Sequence, residues 1–182
     1  MSDSKIILHS RYLALAIMAA LFWCLYSREI VTAEAVTAAV FLSVIAAVDL
    51  RFGLILDRVS AAFFMAVTIF KLLGNGGWTE SAIGAVAAGS FFLLLLLLSG
   101  GGMGLGDVKL AAVIGWWLGP DRCLAALLLS FITAMPVALV LLIVYRRWRM
   151  AIPFGPFMAL GAWLAFVYEG KIFSLWSCLW EI

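Results

Sequence analysis

The stretch SFFLLLLLLSGGGMGLGDVKLAAVIGWW, residues 90–117, sets a run of glycines, an aspartate and a lysine between two apolar segments. The phenylalanine and leucine run before the glycines suits the hydrocarbon of a bilayer. Irregular backbone at membrane depth persists only where protein or water surrounds it, because lipid offers its N–H and C=O groups no partner. A glycine-rich, charged interruption at this point therefore predicts a wet cavity between two membrane helices.

The composition of the whole chain agrees. Of 182 residues, 66% are hydrophobic and 12% are charged, and the mean hydropathy is +1.17. A soluble domain is about half apolar and about one quarter charged, so most of this chain must have lipid as its solvent. The net charge of +2 is too small to point to a nucleic-acid partner. Cys24, Cys123 and Cys178 are far apart and form no C-x-x-C pair, which leaves them as small apolar residues rather than zinc ligands or a disulfide framework. His9 is the only histidine. No metal site and no organic cofactor is expected, and no linker divides the chain, so residues 1–182 read as a single domain.

A helix crosses the hydrocarbon with about 20 apolar residues, within a range of about 17–25. Apolar segments run over Tyr12–Tyr26, Ala35–Val48, Val59–Leu73, Ala82–Leu98, Val108–Leu118, Cys123–Tyr145 and Phe154–Val167. The expected fold is all-α, a polytopic integral membrane helical bundle of about six to seven transmembrane segments. Pro136 is expected to kink the sixth segment, and Ile172–Ile182 reads as an interfacial tail. The first segment also fits a secretory signal peptide, with Lys5 and Arg11 before its apolar run. With seven crossings, one side of the membrane receives Lys5, Arg11, Arg51, Arg58, Lys109, Arg146, Arg147 and Arg149, and the other receives Arg28, Lys71, Arg122 and Lys171. The excess of basic residues assigns the first side to the cytoplasm.

That layout brings two acids together. Asp49 closes the second segment and Asp107 opens the fifth, both at the cytoplasmic end. An ionisable group at membrane depth is by default a functional candidate. Two adjacent carboxylates tend to hold one proton between them. One member can then take a proton from water while the other hydrogen-bonds a scissile carbonyl, and the roles exchange as the amine leaves. Gly104 and Gly106 would leave room for a substrate backbone beside Asp107, and glycine tolerates backbone angles closed to other residues. Lys109 follows Asp107 too closely to share its face of a helix and reads as a headgroup anchor. Asp57 with Arg58, and Asp121 with Arg122, read as ordinary turns and helix starts.

At these residues the chain resembles the type IV prepilin peptidases, the bacterial G-x-G-D aspartic proteases. GMGLGDVKL (102–110) is similar to the family's second-aspartate motif, Lys109 included. DLRFGLILD (49–57) is similar to the first, with Leu56 where the family usually has proline, and IPFGPFMALG (152–161) is similar to its Pro-Phe-Gly-Pro segment. The resemblance implies that Asp49 and Asp107 are the catalytic pair, with Gly104, Gly106 and Lys109 supporting the active-site loop. It implies a prepilin or pseudopilin substrate, cut after a glycine at the cytoplasmic face of the bacterial inner membrane, and partners in a pilus or secretion machine besides membrane lipids. Bifunctional members carry paired C-x-x-C motifs before the first aspartate. This sequence has none, so it resembles the short, peptidase-only form. Three other readings stay open: a presenilin-like G-x-G-D protease, although Val48 precedes Asp49 and no Pro-Ala-Leu occurs; a carrier using paired membrane carboxylates; and a non-enzymatic assembly factor.

Overall fold

The computed structural model describes residues 32–74, 76–100, 102–145 and 153–168. The segment Tyr12–Tyr26, the signal-peptide alternative, His9, the basic cluster at 146–149 and the tail Ile172–Ile182 lie outside these residues. Among the described residues every regular element is a helix: α1 (Ala33–Phe52), α2 (Asp57–Leu73), α3 (Trp78–Leu98), α4 (Leu105–Tyr145) and α5 (Gly155–Val167).

The helix boundaries follow from local chemistry. Thr32 caps α1, its Oγ1 accepting from the Ala35 amide at 3.2 Å, and Glu34 in the first turn suits the positive end of the helix dipole. Gly53 stops α1 at φ 63°, in the left-handed region where glycine carries no Cβ penalty. Asp57 opens α2 and Lys71 lies in its last turn, again in the sense the dipole favours. Pro156 sits in the first turn of α5, where its missing N–H costs nothing.

The long α4 is two limbs. Gly119, at φ 76° and ψ 179°, is its non-helical residue, and Pro120 follows. Unbroken, the 35 apolar residues Leu105–Leu139 would run roughly 52 Å, well beyond the ~30 Å of a hydrocarbon core. The contacts with α3 show that the chain reverses instead. Gly84 of α3 faces both Gly115 and Gly119, and Gly89 faces Ala112, while the Phe92 ring lies 6.1 Å from that of Phe131. Advancing along α3 therefore means moving backward along the first limb and forward along the second. The expected segments Val108–Leu118 and Cys123–Tyr145 are these two limbs, joined by a turn so tight that helical geometry resumes at once. Pro136, expected to kink the sixth segment, lies within the helical second limb, and the non-helical angles occur at Gly119.

Among the described residues three helices are long and apolar enough to cross a membrane, namely α1, α3 and the Leu105–Leu139 part of α4. That is fewer than the six to seven segments the sequence suggests. The difference arises because the α4 hairpin counts once, because α2 has 17 residues and α5 only 13, and because the first segment is not among the described residues. The protein is a helical membrane protein, and its outer surface bears this out. Ile83, Val86, Leu94, Leu97 and Leu98 of α3 are exposed, an apolar face of the kind lipid covers.

The interior is close-packed through small residues. A side chain at Gly84 or Gly115 would strike the backbone of the other's helix, and one at Gly161 would strike Ala126 and Ser130 of the second limb. Such sites let helices approach where no hydrophobic force drives them together. Within this frame α5 is central and largely buried, packed against α1 and α4. Trp163 and Phe63 are fully enclosed, and the Trp117 ring stacks on Phe166 at 5.0 Å. The indole N–H of the partly buried Trp116 donates to Thr68 Oγ1 at 3.1 Å, and that of the buried Trp117 to Glu34 Oε1 at 2.9 Å, so both rings keep a partner.

Candidate active site

On α1 the residues Ala35, Ala38, Leu42, Ile45, Ala46 and Asp49 recur at three or four positions and form one buried stripe. Asp49 is its last member, one turn before Gly53, and is 4% exposed. A carboxylate so enclosed needs a partner, and it has one. Asp49 Oδ2 accepts from the Gly155 amide at 2.8 Å. Gly155 is the first residue of α5, so the acid meets the free amides and the positive dipole end of that helix. Phe154, which caps α5, is held by rings on two other helices, Phe92 at 6.0 Å and Phe131 at 5.2 Å.

Asp107 sits in the first turn of α4. Its Oδ2 accepts from the Gly104 amide at 3.2 Å, and its own amide donates to the Gly104 carbonyl. The acid is thereby the third residue of the helix reaching back to the capping residue, which is half of a capping box. Both aspartates thus spend one oxygen on a backbone amide. Among the described residues Oδ1 of neither has a hydrogen-bond partner.

Asp49 and Asp107 line one cavity of about 260 Å3, with Gly53, Ile55, Gly104 and Phe154 among its walls. The expectation that the helix layout gathers these two acids at one end of the bundle is met in the geometry. Gly104 lines the cavity, and a Cβ there would lie 3.5 Å from Asp107 Oδ2, an ordinary contact. Gly106 has a different neighbour from the one expected. A Cβ on it would come 2.9 Å from Ile55 Cβ, so the missing side chain seats the 53–56 connection, while Gly106 also lines the cavity with the two acids. Neither glycine has a positive φ; in this half of the molecule that conformation belongs to Gly53 and Gly100.

Lys109 also has a protein partner. Its Nζ lies 2.6 Å from Asp57 Oδ2, tying the start of α4 to the start of α2, with side chains 53% and 65% exposed. Asp57 is therefore more than a solvated turn, though an exposed pair of this kind contributes only ~0–1 kcal/mol. Leu56 holds φ −73° and ψ 121°, a conformation that proline also adopts. Asp121 stands just past the Gly119 reversal, at the far end of the bundle. Among the described residues no cluster of three or more His, Cys, Asp or Glu could hold a metal ion.

Gly155 is the residue that sequence reasoning did not single out. A Cβ there would lie 2.7 Å from Asp49 Oδ2 and 3.1 Å from its Cβ and Cγ. Its signal was the quoted IPFGPFMALG, noted for its order along the chain and not for any contact.

Residues 36–139 match the type IV leader peptidase family. Among curated proteins the chain is 32% identical over 165 residues to the prepilin leader peptidase/N-methyltransferase of Bacillus subtilis (strain 168), covering 88% of this chain and 66% of that protein. It is 31% identical over 133 residues to the protein of the same name from Aeromonas hydrophila, covering 69% and 46%. For the Dichelobacter nodosus protein of that name the identity is 36% over 80 residues, covering 42% and 26%. The chain thus spans two thirds or less of the relatives it matches. No solved structure matches it.

Proposed function

The chain belongs to the type IV leader peptidase family, and from that premise we propose that it is a membrane-embedded aspartic endopeptidase that removes the leader from type IV prepilins or pseudopilins. The observation that carries this reading is the single cavity shared by Asp49 and Asp107, two acids from opposite ends of two different helices. One oxygen of each is tethered and the other is left for chemistry. A cavity of about 260 Å3 has room for several waters, at ~30 Å3 each, or for a short piece of extended peptide in their place.

The pair carries one proton. The ionised carboxylate takes a proton from a water, whose oxygen forms a bond to the scissile carbonyl carbon. The protonated carboxyl hydrogen-bonds the carbonyl oxygen as charge develops there. When the C–N bond breaks, the leaving amine takes a proton from the dyad, which returns to its starting state. The two titrations belong to the pair, so neither residue is assigned as acid or base. Gly155 and the start of α5 fix Asp49, the capping contact with Gly104 fixes Asp107, and Ile55 seated on Gly106 closes the wall between them.

The basic residues counted along the sequence favour an active site at the cytoplasmic face of the bacterial inner membrane. The bundle reads as six to seven crossings when the limbs of α4 are taken separately and Tyr12–Tyr26 is included. The product serves a pilus or secretion machine. A carrier is disfavoured because its acids belong near mid-membrane on broken helices, whereas these two occupy the last turn of α1 and the first of α4.

The test is cleavage of a full-length prepilin by the purified protein in lipid, beside Asp49→Asn and Asp107→Asn. Wild type is expected to cut and both variants to fall to background while keeping the wild-type unfolding temperature. Full cleavage by either variant rules out the paired-carboxylate mechanism.

A further inference from the structure

A second polar space lies away from the aspartates. At the opposite end of the helices Glu34, Lys71, Glu80, Trp117, Asp121 and Arg122 line a cavity of about 570 Å3. Glu34 is in the first turn of α1 and Asp49 in its last; the 15 residues between their positions correspond to roughly 22 Å along the axis. The two cavities are therefore separate sites. The Trp117 indole holds Glu34 Oε1 at 2.9 Å, which fixes one carboxylate in the chamber wall.

Below this chamber an apolar crevice of about 200 Å3 runs between α3 and the second limb of α4, past Gly84, Ala88, Phe91, Cys123, Leu127 and Phe131. Pro120 lines both spaces, so they are adjacent. The crevice opens on the outer surface, because Phe91, Leu124, Leu128 and Phe131 on its walls are exposed. A charged chamber at the helix ends beside an apolar slot along the lipid-facing side has the polarity profile of one amphiphile, head first and tail below.

We propose that this is a binding site for a membrane phospholipid whose headgroup carries both a phosphate and a primary ammonium, with an acyl chain in the crevice. The signs of the lining charges choose the headgroup. A purely anionic one would meet the carboxylates of Glu34, Glu80 and Asp121 with no positive charge to offer them. One with both charges gives its phosphate to Lys71 and Arg122 and its ammonium to the carboxylates. A primary ammonium donates three N–H groups, whereas a quaternary one donates none. The site is remote from the aspartates and needs no peptidase activity, so it stands or falls independently of the function proposed above.

The experiment is native mass spectrometry of the delipidated full chain in detergent with equal amounts of dioleoyl-phosphatidylethanolamine, -phosphatidylglycerol and -phosphatidylcholine. The ethanolamine lipid is expected to be retained about tenfold over each of the others, as fits a charged hydrogen bond gained or lost. Lys71→Gln with Glu80→Gln should erase that preference. Ala87→Phe, at an exposed position on the crevice wall, should lower retention of all three lipids. Soluble phosphoethanolamine should compete at least about tenfold more weakly than the lipid. Unfolding temperatures in the same detergent establish that each variant is folded, and the ranking of lipids on wild type tests the proposal without them. Equal retention of the three lipids overturns it, as does an unchanged preference in the double variant. Full retention in Ala87→Phe, or equal competition by the soluble headgroup, removes the crevice from the site. A photo-crosslinker at position 124 that captures the prepilin helix instead of lipid assigns the crevice to substrate and also refutes the proposal.

Discussion

Replacing Gly155 with alanine adds one methyl group at the start of α5 and removes no functional side chain. That methyl would sit 2.7 Å from Asp49 Oδ2 and 3.1 Å from its Cβ and Cγ. Carbon and oxygen rest at about 3.5 Å or more, so the acid and the helix start must separate by roughly 0.5–1 Å. The bond from the Gly155 amide, now 2.8 Å, is then stretched or lost, and a hydrogen bond to a charged group is worth ~1.5–3 kcal/mol. A displacement near 1 Å in a reacting constellation can cost about 100-fold in rate. We expect kcat on a full-length prepilin to fall about 100-fold, with KM changed by less than about threefold because the methyl faces Asp49 rather than the cavity mouth. Gly104→Ala is the matched comparison. Its amide also holds a carboxylate, yet its Cβ would meet Asp107 Oδ2 at 3.5 Å, and it should lose about tenfold or less. Equal losses in the two variants, or a Gly155→Ala enzyme within about threefold of wild type, would refute the positioning argument.

Gly106→Val should force Ile55 away from α4, lowering stability by ~1–3 kcal/mol as an overpacked contact and slowing cleavage; a variant with unchanged unfolding temperature and turnover contradicts the seating of the 53–56 connection. A double-mutant cycle of Lys109→Ala and Asp57→Ala, read by thermal unfolding, should give a coupling below about 1 kcal/mol that shrinks in high salt; a larger, salt-independent value would mean the pair is shielded in the membrane. The 182-residue chain, incubated with prepilin and labelled S-adenosylmethionine, should release a cleaved pilin without incorporated methyl, and label in the product would count against the peptidase-only reading.

What could be read from the sequence was whatever depended on neighbours along the chain. The apolar runs located the helices, Asp57 with Arg58 and Asp121 with Arg122 located turns and helix starts, and the positions of Asp49 and Asp107 at facing helix ends followed from counting segments. The extended ends of α1, which takes in Ala33 and Phe52 beyond the apolar core of the segment, reflect polar residues that a hydropathy reading trims away. Contacts made by backbone or by missing atoms left no such mark. The amide that anchors Asp49 belongs to a residue 106 positions away, and no property of a glycine announces which carboxylate it will meet. Gly106 is similar: the sequence says that a side chain is absent, and only the fold says that Ile55 takes up part of that space beside the acid cavity. Lys109 and Asp57 are each ordinary in isolation, and their pairing across two helix starts depends on the tertiary arrangement.

The glycines at 84, 115, 155 and 161 share a property that reaches past catalysis. At each, a single carbon would collide with backbone or with the floor of the acid site. A complete substitution scan of this protein should therefore find some of its least tolerant positions at places that carry no functional group. Atoms left out, as much as acids put in, define the machine.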